Sequence, residues 1–152
     1  MKIAIGADHA GFPLKAAVIE RLKAKGHEVS DLGTHSEAAV DYPDFAHAVA
    51  SAVAEGRAER GVMLCGSGVG ATVAVNKVPG VRGALCHDTF SARQGVEDDD
   101  VNVLCLGARV VGVSLALEVL DAWAAARFSN AERHARRRDK VTALERRYAP
   151  KP

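Results

Sequence analysis

The sequence predicts an α/β domain of the doubly wound, Rossmann-like kind: a five-stranded parallel sheet with helices on both faces and a C-terminal helical arm. Three observations predict it. Short apolar runs alternate with helix-period segments along the chain. Most of those runs are continuously apolar, the mark of strands buried on both faces. Each connection between them is long enough for the crossover that parallel strands require.

The first strand is Lys2–Gly6. After Asp8-His9-Ala10-Gly11, a helix over Pro13–Lys25 places Leu14, Ala17, Val18 and Leu22 on one face, with proline in its first turn and Gly26 at its end. A second strand, Glu28–Leu32, precedes a helix over Pro43–Glu55 with Phe45, Val49 and Val53 on one face and Gly56 at its end. The third strand, Gly61–Cys65, runs into a glycine turn and a short helix from about Val69. Arg82–Cys86 is followed by a helix near Thr89–Val96, and Asn102–Leu106 by one over Val113–Arg127. A last helix, Glu132–Tyr148, carries a thin apolar stripe of Val141, Leu144 and Tyr148 among many arginines. So little apolar surface holds a helix poorly to its own domain. Residues 131–148 are therefore expected to form an intersubunit arm, the alternative being a solvated terminal helix.

With 152 residues, 48% of them apolar, the chain suits one domain over 1–152. Twenty Lys and Arg against 19 Asp and Glu leave a net charge of +1, which argues against a nucleic-acid partner. The charge is nonetheless unevenly placed, with acids at Glu97-Asp98-Asp99-Asp100 and arginines at 133, 136, 137 and 138. No apolar run approaches the ~18 residues of a membrane span, and the opening Met1-Lys2-Ile3-Ala4-Ile5-Gly6 lacks the layout of a signal peptide. A cytoplasmic protein without a membrane partner is expected. Cys65, Cys86 and Cys105 are odd in number and widely spaced, which fits reduced thiols. The six histidines show no H-x-x-x-H spacing, so no metal is expected.

In doubly wound folds ligands gather at the carboxyl ends of the strands. The sequence places Asp8-His9, Cys65-Gly66-Ser67-Gly68, His87-Asp88 and Gly107-Ala108-Arg109 there. The third-strand turn reads G-x-G-x-G, neither the dinucleotide fingerprint nor a Walker loop, so no nucleotide cofactor is expected. Glycines let backbone N–H groups face an anion, and a thiol beside a helix N-terminus gains thiolate character. Cys65 is thus a candidate nucleophile or base, or else one more small buried hydrophobe.

The segments GADHAGFPLK (6–15), DYPDFA, NKVPGVR, NVLCLGARVVG and ERHARRR complete the pattern. With the glycine turn they give a chain that resembles the ribose-5-phosphate isomerase B family, which includes galactose-6-phosphate and allose-6-phosphate isomerases. The resemblance runs from Lys2 to about Glu145. It implies a cofactor-free aldose–ketose isomerase of small phosphorylated sugars, a homodimer or dimer of dimers with sites shared between subunits. On this resemblance Cys65 is the base, and Ser67 with the N–H groups of Gly68, Val69 and Gly70 stabilises the enediolate beside Gly66. Position 71, where some relatives carry a glutamate, is alanine. His9, Arg109, Arg133, His134 and Arg137 are expected to hold the phosphate, while Arg136 and Arg138 suit a solvated face. Asp8 and Tyr42 are expected at sugar hydroxyls; the alternatives are a helix cap for Asp8 and packing beside Pro43 for Tyr42.

One departure stands out. Where pentose-phosphate members carry His-Asn, this chain has Asp98-Asp99, with Asp98 expected as a catalytic proton carrier and Asp99 at substrate oxygens. Aspartate is ordinarily ionised at neutral pH and makes a poor proton donor. Three readings follow: the acid cluster keeps one aspartate protonated, His87 takes the role, or the substrate needs no ring opening. The sequence therefore leaves open an isomerase of ribose 5-phosphate, one of hexose or tetrose phosphates, and a non-catalytic sugar-phosphate sensor.

Overall fold

A computed structural model describes residues 1–149; residues 150–152 of the expected domain lie outside the described residues. Five strands, β1 (Lys2–Ala7), β2 (Glu28–Asp31), β3 (Arg60–Cys65), β4 (Gly83–Leu85) and β5 (Val103–Gly107), pair in parallel in the order β2-β1-β3-β5-β4. The helices are α1 (Phe12–Ala24), α2 (Tyr42–Ala54), α3 (Val69–Val75), α4 (Thr89–Asp99), α5 (Val113–Ala125) and α6 (Glu132–Tyr148). The chain steps outward from β1 to β2 and then returns past β1 to β3. A crevice therefore opens at the carboxyl ends of β1 and β3, where such folds bind ligands.

The two faces of the sheet bury separate apolar layers. Ile3, Ile5, Val62, Leu64, Leu104 and Leu106 meet α1, α4 and α5 through Val18, Leu22, Val96, Leu120 and Trp123. On the other face Ala4, Met63, Cys65, Val103 and Cys105 meet α2 and α3 through Val49, Ala50 and Val75. The period of two along β3 thus turns Val62 and Leu64 to one layer and Met63 and Cys65 to the other. Apart from Lys2 and Arg60 at their starts, the three central strands are fully buried. Edge strand β2 is mostly exposed and β4 is half-buried, because each has a neighbour on one side alone.

Every crossover helix starts at the carboxyl rim of the sheet and ends at the amino rim. This separates Asp98, Asp99 and the arm from the residues at the carboxyl rim. The last turn of α4, with Asp98 and Asp99, lies at the amino rim just before β5, where the Arg82 guanidinium ahead of β4 pairs with Asp100 at 3.0 Å. The arm begins at the same rim and is better held by its own domain than its thin stripe predicts. His134 is buried, Arg138 pairs with Asp100 at 3.4 Å and stacks on Phe128, and Glu145 accepts from Gly80 N–H. Farther along, Val141 and Leu144 are each 55% exposed and Tyr148 is 76% exposed.

Candidate active site

Three loops meet at the carboxyl rim. Asp8 N–H donates to Leu64 O at 3.1 Å, Ala108 N–H to Cys65 O at 2.8 Å and Arg109 N–H to Gly66 O at 3.0 Å, so the turns after β1, β3 and β5 form one backbone unit. Glycine makes the contact possible at two places. A Cβ on Gly11 would strike the Leu64 carbonyl, and one on Gly107 would lie 2.5 Å from Ser67 O. Asp8 closes the turn ahead of α1, where its Oδ1 accepts from Ala10 N–H at 3.0 Å and Gly11 N–H at 2.9 Å.

Within the glycine turn, Gly68 takes φ +82°, a left-handed conformation that side chains resist. That bend brings Gly68 N–H to Cys65 Sγ at 3.1 Å. Val69 N–H donates to Ser67 Oγ at 3.3 Å, which leaves the Ser67 hydroxyl hydrogen free for another acceptor. Two of the three expected oxyanion donors are thus held by Cys65 and Ser67 themselves. Gly70 N–H has no acceptor among the described residues. The Tyr42 ring lies over Gly70, so close that a Cβ there would be 2.7 Å from the ring. Tyr42 therefore covers the turn rather than packing on Pro43 alone.

Cys65 differs from the other thiols in its surroundings. Burial, helped by the Asp88 carboxylate, pushes the Cys86 thiol up to about 11. Burial pushes the Cys105 thiol up to about 12. Neither faces an N–H donor at a glycine turn, as Cys65 does.

On the other side of the rim, His9, Glu37 and Arg109 line a cavity of about 470 Å³ floored by Pro13, Leu14 and Val111. Gly66 joins the two halves, since a Cβ there would be 3.5 Å from both Ala10 and the Arg109 guanidinium. His9 Nδ1 accepts from Val40 N–H at 3.2 Å, which leaves Nε2 to carry the proton and donate to an anion. The strap that supplies Val40 is fixed by Lys15. This buried lysine donates to Asp31 Oδ1 at 2.8 Å and to Thr34 O. Sequence reasoning passed over Lys15, although its place beside Leu14 on the α1 stripe marks it as inward-facing. His87 was only an alternative there, yet its Nε2 accepts from Gly107 N–H at 3.1 Å, directly behind the glycine turn.

The remaining expected residues stand at the amino rim of the same chain. Asp98 Oδ1 is 3.4 Å from His134 Nδ1, and Asp98 Oδ2 accepts from Gln94 Nε2 at 2.7 Å. Asp99 is exposed beside a second cavity lined by Arg82, Val101, Arg138 and Leu144. Arg133 and Arg137, one helical turn apart, are exposed and form no ion pair among the described residues. Arg136 and Arg138 are instead paired within the chain, with Glu132 and with Asp100 and Asp139.

The sequence pattern of the family described as Ribose/Galactose Isomerase matches residues 3–141. The chain belongs to this family. Among curated relatives, the isomerase is 44% identical to ribose-5-phosphate isomerase B of Escherichia coli (strain K12) over 96% of this chain and 97% of that one. It is 42% identical to D-erythrulose-4-phosphate isomerase of Pectobacterium atrosepticum over 84% of this chain and 85% of the relative. The solved structure of Clostridium thermocellum ribose-5-phosphate isomerase B superposes with a TM-score of 0.95 at 48% identity, covering 98% of this isomerase and 100% of that chain. Sugar-phosphate isomerisation is thus the activity of the family, and the doubly wound architecture is shared with it. Among the described residues no helix is long and apolar enough to cross a membrane.

Proposed function

We propose that the protein interconverts ribose 5-phosphate and ribulose 5-phosphate, with Cys65 as the base and a second subunit completing each site. The observation that carries this reading is the N–H···S contact of 3.1 Å between Gly68 and Cys65 at the carboxyl end of β3. The sulfur is thereby held against the backbone of the glycine turn, and the thiolate is the form of a cysteine that accepts a proton. The thiolate takes the proton from C2 of the open aldose and returns it to C1, while the C2 hydroxyl proton passes to the oxygen on C1 so that C2 becomes the carbonyl. The Ser67 hydroxyl and Gly70 N–H stabilise the enediolate oxygen, where charge develops during transfer. His9 and Arg109 hold the phosphate from the adjoining cavity, Arg109 with a planar fork suited to its oxygens.

Support for a shared site comes from the separation of charges. Arg133 and Arg137 form no ion pair among the described residues yet sit at the rim opposite Cys65, so within one chain they face no site. A two-fold dimer would bring one subunit's arm to its partner's glycine turn. The exposed apolar residues Val69, Val73 and Val113 near that turn supply surface for such a contact.

A tetrose phosphate is the second reading. The observation that favours it is Asp98, at the position where a neutral ring-opening group is expected for a pentose. The test is kcat/KM of the purified protein, treated with chelator, across four-, five- and six-carbon sugar phosphates. The highest value on ribose 5-phosphate supports the first reading; a preference for D-erythrulose 4-phosphate replaces it with the second. Tight binding without turnover on any of them indicates a sensor.

A further inference from the structure

We propose that His134, oriented by Asp98, is the acid–base group that opens the ring of a cyclic sugar phosphate; the inference rests on the shared-site reading above. An aldopentose 5-phosphate exists mainly as a closed furanose without a carbonyl, so its C2 proton cannot be removed until the ring opens. Opening needs a group that takes a proton from the anomeric hydroxyl and supplies one to the ring oxygen. An imidazole with one nitrogen held and the other free does both.

His134 has this form. Its Nδ1 lies 2.7 Å from Ser129 Oγ and 3.4 Å from Asp98 Oδ1, so two oxygens from separate segments hold the same nitrogen. Ser129 is itself fixed, its N–H donating to Glu97 O at 3.0 Å and its Oγ accepting from Ala131 N–H at 3.2 Å. Asp98 is fixed by Gln94. The ring is only 6% exposed, yet Nε2 makes no hydrogen bond among the described residues and is not a buried polar atom without a partner. The small part of His134 that meets solvent therefore includes Nε2. With Nδ1 held by Ser129 and facing Asp98, Nε2 is the nitrogen left to exchange a proton with a ligand. The unpaired Arg133 and Arg137, one residue before and three after, give an anionic ligand its counter-charge at the same place.

The step balances without oxidation or reduction. Nε2 takes the proton of the anomeric hydroxyl, and the bond from C1 to the ring oxygen breaks as C1=O forms. The ring oxygen then takes the proton from the imidazolium and becomes a hydroxyl. The aspartate at 98 is a positioning residue in this scheme, and the missing imidazole is supplied from α6.

The test compares ribose 5-phosphate, which closes to a furanose, with D-erythrulose 4-phosphate, whose phosphate occupies the last hydroxyl and leaves none to close a five-membered ring. For His134→Asn and for Asp98→Asn, the ratio of kcat/KM on the pentose to kcat/KM on the tetrose should fall at least about 10-fold from the wild-type ratio. Asp98 is partly exposed and asparagine keeps its shape, so that variant decides the matter if His134→Asn does not fold. An equal fall on both substrates would make His134 a phosphate holder, and no change would make it structural; either overturns the inference. A wild type inactive on ribose 5-phosphate also overturns it while leaving the isomerase assignment intact. Failure of the shared site itself is read separately, by subunit mixing.

Discussion

In the proposed mechanism Cys65 is the residue on which the chemistry turns. Cys65→Ala should lower kcat by at least about 100-fold, the usual contribution of a positioned proton carrier, with little change in the affinity for a phosphorylated sugar measured calorimetrically. Unchanged turnover would return Cys65 to the apolar layer in which its neighbours Met63 and Cys105 lie. A labelling experiment separates the three thiols. Burial holds Cys86 and Cys105 protonated, up to about 11 and about 12, so both should resist iodoacetamide at pH 8. Peptide mapping should find one alkylated cysteine, Cys65, with activity lost in parallel; first labelling at Cys86 would contradict this. The glycine beside it is equally constrained. Gly68→Ala forces a side chain into φ +82° and against Leu85, at an expected cost of about 1–3 kcal/mol in denaturant unfolding, and turnover should fall with it.

At the scale of elements, the strands and helices were legible in the sequence almost residue by residue, because continuous apolar runs and first-turn prolines mark them without tertiary help. Strand β4 is one residue shorter at each end than the run Arg82–Cys86 predicts, although Arg82 O still accepts from Asn102 N–H and Cys86 N–H still donates to Cys105 O at 3.3 Å. The cluster at the carboxyl rim was legible too, as each of its residues directly follows a strand. Asp98 and His134 follow no strand: they end one helix and begin another, and both boundaries fall at the amino rim of the chain. Lys15 escaped because a single charge on an apolar stripe gives no hint of its partners. Its contacts tie α1 to β2 and to the strap that holds His9. Lys15→Met should cost on the order of 3 kcal/mol, as expected for breaking a largely buried pair, and should raise KM more than it lowers kcat. Burial opposes the charge on Asp31, but the Lys15 ammonium and Gly33 N–H outweigh it and hold the carboxyl below the usual range. A depressed carboxylate contributes stability above its unfolded value near ~4 and loses it as pH falls through the folded value. Asp31→Asn should therefore be less stable than wild type at pH 7, with the gap in urea midpoint closing at pH 3; a gap independent of pH would remove the ion pair from the account.

For the whole molecule, the fold divides the chemistry between two rims about a sheet. The thiol, the glycine turn and the cavity of His9 and Arg109 lie at one, and the unpaired arginines and the Asp98–His134 pair lie at the other. A single chain has both halves of a site and no way to join them. In the proposed dimer, two chains related by a two-fold axis would join them twice. The most direct measurement mixes inactive Cys65→Ala protein with inactive Arg137→Ala protein under conditions in which labelled subunits are seen to exchange. Random pairing makes half the dimers mixed, each with one site free of both changes, so activity should return to about one quarter of the wild-type value. Exchange without any return of activity would contradict the shared site.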